Sequence, residues 1–162
     1  MNTQSILLIL SLSLVTHLAY ADDPKSGYHG MAGPNGGRLL VEVEPHIEFL
    51  VKSDTKKVEI RFVGDALIVL PPAGQEVTTT VGEGDSATKL TFTQQGDKLV
   101  SDVPLPAGDR LPVTVQIRAK PGDSSVTAEK FILDLGPCPT GKHLKYACTC
   151  ERDQQAKAKE QK

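Results

Sequence analysis

The chain of 162 residues contains no tryptophan, and aromatic residues make up only 4% of it. That poverty argues against a carbohydrate-binding platform, which is built on exposed aromatic rings. Neither sign of charge dominates: 18 Lys and Arg stand against 20 Asp and Glu, for a formal net charge of −2. Nucleic acid would demand a clustered basic face, so it is not an expected partner. The same balance gives no reason to expect an anionic membrane surface. Long apolar runs are scarce, and the one at residues 6–15 is shorter than the roughly 20 residues a membrane span needs. There is no Gly-x-Ser-x-Gly elbow, no phosphate-binding P-loop and no His-Glu-x-x-His. No acid–base or nucleophile–base pair stands out, so the chain reads as a non-enzyme.

The first 21 residues read as a targeting segment. The apolar run is followed by Ala19-Tyr20-Ala21, the small-x-small pattern a signal peptidase accepts, and Asp22-Asp23-Pro24 opens a polar chain. The usual positive n-region is missing, because residues 1–5 carry no Lys or Arg. Cleavage after Ala21 is expected, with an uncleaved anchor as the alternative. The mature chain would then be periplasmic or secreted, would have no membrane span, and suits one domain. Pro24 would stand third in it, which excludes a copper site needing histidine there.

Residues 22–37 hold five glycines and two prolines and are expected to form a flexible arm. Strand signals fill residues 38–136. Residues 39–43 and 46–51 are separated by Glu44-Pro45, and Ile47, Phe49 and Val51 share one face. Val58, Ile60 and Phe62 point inward in the next run, with Glu59 and Arg61 outward. Further runs lie at 66–70, 76–81, 89–93, 98–103, 111–119 and 126–135, and residues 94–97 read as a hairpin turn. Val113, Val115, Ile117, Phe131, Leu133 and Leu135 are the inward set of the last two. About eight or nine short strands with turn signals every ~8–12 residues predict an all-β, immunoglobulin-like antiparallel β-sandwich. A small open barrel is the alternative. Residues 137–150 form a Cys/His segment, and residues 151–162 a charged, disordered tail.

All three cysteines fall in that segment, spaced Cys138-x4-His143-x4-Cys148-x-Cys150. Three thiolates and an imidazole could complete a tetrahedral zinc site, and the thiolates alone would suit Cu(I). A paired C-x2-C knuckle is missing, because Gly141 stands where its second cysteine would be. The competing reading is a disulfide from Cys138 to Cys148 or Cys150, as expected in an oxidising compartment. A second constellation is His46 and Glu48, two apart on a strand and so on one face. With His29 from the arm they could share copper or zinc. Otherwise both are ordinary polar residues on a solvated sheet face.

Residues 33–49 resemble a segment of extracytoplasmic heavy-metal efflux adaptor proteins and their small periplasmic relatives. In those a His-Gly-Gly turn leads into a strand and a His-x-Glu follows. Gly36-Gly37 and His46-Ile47-Glu48 match, whereas Asn35 stands where the family has histidine, and asparagine is a poor ligand for zinc or copper. The resemblance implies an exported copper- or zinc-binding carrier, buffer or efflux accessory, with an efflux or envelope protein as partner. The rival expectation is a non-catalytic β-sandwich interaction module whose C-terminus is stapled by a disulfide.

Overall fold

A computed structural model describes residues 31–139 and 142–148. The targeting segment, His29, Cys150 and the charged tail lie outside the described residues. Ten strands run in the order β1 (Arg38–Leu40), β2 (His46–Val51), β3 (Val58–Val63), β4 (Val69–Leu70), β5 (Glu76–Val81), β6 (Thr88–Leu90), β7 (Phe92–Gln95), β8 (Lys98–Ser101), β9 (Arg110–Arg118) and β10 (Thr127–Asp134). They form two antiparallel sheets. One has the order β1-β2-β3-β8-β7 with β4 added against β3, and the other is β10-β9-β5-β6. The molecule is an all-β sandwich. Short 3-10 turns at Asp65–Leu67 and Gly84–Ser86 are the only helical elements among the described residues. No helix there is long and apolar enough to cross a membrane.

Period-two alternation builds the core. Ile47, Phe49 and Val51 from β2 and Val58, Ile60 and Phe62 from β3 face Val77 and Val81, then Val113, Val115 and Ile117, then Phe131 and Leu133, in one buried cluster. Leu135 packs against its rim. Phe49 meets Phe131 edge to face across the sheets, centroids 5.3 Å apart. Residues 94–97 do form a hairpin, with Gln95 opposite Lys98.

Several boundaries differ from the expected ones. The run at 39–43 yields only the three-residue β1. Val41 and Val43 are buried without pairing, since the chain turns away toward a cis Glu44–Pro45 bond. The run at 66–70 is mostly a 3-10 turn and leaves β4 two residues long, with Ile68 61% exposed. The run at 89–93 is split at Thr91 into β6 and β7, which belong to different sheets. Chain that changes sheets in this way makes a sandwich corner.

Candidate functional site

The two constellations read from the sequence come together at one corner of the sandwich. β2 alternates, so Ile47 and Phe49 point into the core and His46 and Glu48 point the other way. That outer face is not solvated: His46 is 4% exposed and Glu48 is fully buried. The cover is the glycine-rich stretch before β1. It forms a closed turn in which Gly36 N–H donates to Gly33 O at 2.9 Å and Gly33 N–H to Gly37 O at 2.8 Å. Residues 31–37 are therefore docked, not a free arm.

Glu48 anchors this turn. One carboxylate oxygen accepts from the backbone N–H of Asn35 at 2.8 Å and of Gly37 at 2.9 Å. The other accepts from the Asn35 side-chain amide at 2.7 Å. A fully buried carboxylate is tolerable only when hydrogen-bonded, and three donors satisfy this one. The glycines are required by closeness and by conformation. A Cβ on Gly37 would lie 2.5 Å from Phe49 O, and Gly36 has φ of +86°. Asn35 thus takes a role that needs no metal: its amide donates to the carboxylate directly.

His46 is held equally close. Its Nδ1 lies 3.0 Å from Val43 O and 3.4 Å from the Glu44 carboxylate. A carbonyl oxygen can only accept, so the ring presents a proton there.

The C-terminal segment packs on the same corner. Cys138 and Cys148 are bonded to each other, with Cα atoms 6.2 Å apart. The segment doubles back antiparallel through a bridge between Pro137 and Leu144 and is pinned to the end of β10. Lys145 N–H donates to Gly136 O at 2.9 Å, and Tyr146 N–H to Asp134 O at 3.0 Å. Tyr146 and Ala147, each 2% exposed, complete the hydrophobic core. The Tyr146 ring meets Phe49 edge to face, and its hydroxyl oxygen accepts from Val51 N–H at 3.0 Å. Arg38 Nη1 donates to Tyr146 O at 3.1 Å, and the guanidinium lies 4.7 Å above the Phe131 ring. His143 is exposed and sits over the turn, where a Cβ on Gly36 would lie 3.0 Å from its Nδ1.

Burial raises the Tyr146 hydroxyl above its usual 10.0, the Val51 hydrogen bond works the other way, and the negative charge of nearby Glu48 adds to the rise. On the neighbouring strand, burial works against ionisation of Glu59. Hydrogen bonds and charge from Lys98 and Arg61, each 2.7 Å away, outweigh it and hold the carboxyl below 4.5.

As they stand, these residues do not fit a metal centre. Cys138 and Cys148 are spent on each other, so the Cys3His set lacks two thiolates. Both oxygens of Glu48 are engaged by the turn. Among the described residues, no group of three or more His, Cys, Asp or Glu side chains is placed to hold a metal ion. The expected solvated face at His46 and Glu48 is likewise corrected to a buried one, because the glycine-rich turn covers it.

Three participants are not evident from sequence: Asn35 as the partner of Glu48, Arg38 as the strap over Phe131, and Tyr146 as a core residue. For Tyr146 a signal existed, a lone aromatic inside an otherwise polar segment. For Asn35 it was three glycines clustered around one amide. Set against known proteins, the chain matches no family model, no curated protein and no solved structure.

Proposed function

We propose that the protein is an exported β-sandwich module, periplasmic or secreted, that acts by interaction and not by catalysis, with its C-terminal segment stapled in place. The observation that carries this reading is the Cys138–Cys148 disulfide. A disulfide persists in an oxidising compartment, which agrees with the export signal read at residues 1–21. Burial of Glu48 under the 33–37 turn supports it too, because the residues that resemble a metal motif are then consumed in shaping the module. The test is a thiol count on protein isolated without reductant, with mass determination of the mature N-terminus. One titratable thiol per chain, from Cys150, and a start at Asp22 are expected. Three titratable thiols that become protected on adding Zn(II) or Cu(I) would overturn the reading.

One observation favours a second reading, the copper or zinc carrier. His143 lies against Gly36, so the Cys/His segment and the Gly-Gly…His-x-Glu segment share a corner. On this reading Cys138, His143, Cys148 and Cys150 bind metal in the reduced protein, with His29, His46 and Glu48 nearby. Titrating Cu(I) into fully reduced protein tests it: stoichiometric binding lost in a Cys138→Ser variant is expected. Unchanged binding in that variant would sink it.

A further inference from the structure

We propose that the cleft between β1, the start of β9, the end of β10 and the stapled C-terminal segment is a binding site for a small oxyanion, a phosphate or carboxylate group. The inference is independent of which functional reading holds.

The cleft has a volume of about 200 Å³ and is lined by Arg38, Arg110, Ile132, Asp134 and Lys145, with Tyr146 beside them. At roughly 30 Å³ per water it holds about six or seven waters. That is room for an anionic head group and less than the ~300–1,000 Å³ of sites for larger organic ligands. Three cations reach it from three separate parts of the chain, and one carboxylate opposes them. Asp134 is itself committed: one oxygen accepts from Gly136 N–H at 2.9 Å. Its other oxygen lies 3.8 Å from Arg110 Nε and 3.7 Å from Lys145 Nζ. Those separations are charge contacts and too long for hydrogen bonds, so the donors of Arg110 and Lys145 are left for a ligand.

The frame is rigid. Arg38 is clamped between the Phe131 ring and Tyr146 O, and Lys145 is carried by a backbone N–H donated to Gly136 O. A fixed guanidinium beside a second guanidinium and an ammonium is chemistry suited to planar carboxylate or tetrahedral phosphate. The half-exposed Ile132 on one wall admits a short apolar extension of the ligand.

The test uses the full mature chain with its disulfide intact, isotope-labelled. Sodium phosphate and sodium succinate are titrated separately at pH 7, with sodium chloride at matched ionic strength as control. Saturable shifts of the Gly136 and Lys145 amides are expected with at least one of the two, and the tighter one names the group. Arg110→Ala and Lys145→Ala should each weaken binding roughly fivefold to tenfold, in keeping with partly exposed charged contacts. Asp134→Asn keeps an acceptor for Gly136 N–H and removes the opposing charge, so it should tighten binding. Thermal melts confirm that the variants are folded. Shifts that fail to saturate with both anions, or that match chloride, overturn the proposal. So does affinity unchanged in folded Arg110→Ala and Lys145→Ala.

Discussion

Replacing Glu48 by alanine should destabilise the protein strongly, although nothing about the residue type marks it as a core position. The carboxylate is fully buried and serves three donors, two of which are the backbone N–H groups of Asn35 and Gly37. Backbone donors cannot be mutated away, so alanine leaves both without an acceptor, at roughly 1–3 kcal/mol each. Added to the space vacated by the longer side chain, the loss comes to about 3–5 kcal/mol. The turn can limit the loss by undocking and letting water reach the two amides. Glu48→Gln keeps one acceptor oxygen and the shape. It forfeits the charge assistance, and Asn35 must turn its amide to meet a donor, so about 1–2 kcal/mol is expected. Urea unfolding followed by circular dichroism gives both values, tryptophan being absent. Hydrogen exchange at the amides of residues 35 and 37 reports whether the turn has let go. If Glu48→Ala unfolds within about 0.5 kcal/mol of the parent while protection at those amides is unchanged, the anchoring role is refuted.

Thr79 points into the core, fully buried, and its hydroxyl has no hydrogen-bond partner among the described residues, so Thr79→Val should raise stability by about 1 kcal/mol in the same urea assay. Replacing Cys148 by serine opens a loop spanning a sequence separation of 10 and should cost roughly 2–3 kcal/mol, read as a fall in melting temperature. Tyr146 holds its proton more tightly folded than unfolded, so its contribution is complete below pH 10 and is lost as pH rises above that toward the folded value. Tyr146→Phe should flatten this alkaline loss in a pH series of melts. Glu59 has the opposite sign: its carboxyl is depressed, so its contribution is present above pH 4.5 and disappears as pH falls through the folded value, and Glu59→Gln should remove that acid limb.

Which parts of this were legible in the sequence follows from what alternation reports. In β2, β3, β9 and β10 the period-two pattern names the inward residues, because those strands are apolar on one face along most of their length. Val41 and Val43 alternate just as well and are buried, yet they pair with nothing. Alternation detects burial and is blind to the hydrogen-bond ladder. Thr91 carries no signal for the step between sheets, since that depends on where the facing strands lie. Glu48 was misjudged for a related reason. A carboxylate alternating with core residues reads as solvent-facing, and the cover came from residues 33–37, whose glycines look locally like slack chain. Packing across the sequence turned that slack into close approach. The pairing of Cys138 with Cys148 was among the alternatives legible from spacing alone, whereas the burial of Tyr146 needed the opposite wall of the core.

The corner closed by Arg38 and Tyr146 also bears on the order in which the molecule can be completed. Their contact spans 108 positions, and that between Val51 and Tyr146 spans 95. Contacts so distant carry the largest closure entropy in a chain of this size. They also cannot exist before the last part of the domain has been made. A chain threaded head-first through a narrow pore would therefore emerge with its opening residues ready and their partners still on the far side. The sandwich edges would stay ajar until residue 146 arrived, and a C-terminal truncation of a few residues would be felt first at the opposite end of the polypeptide.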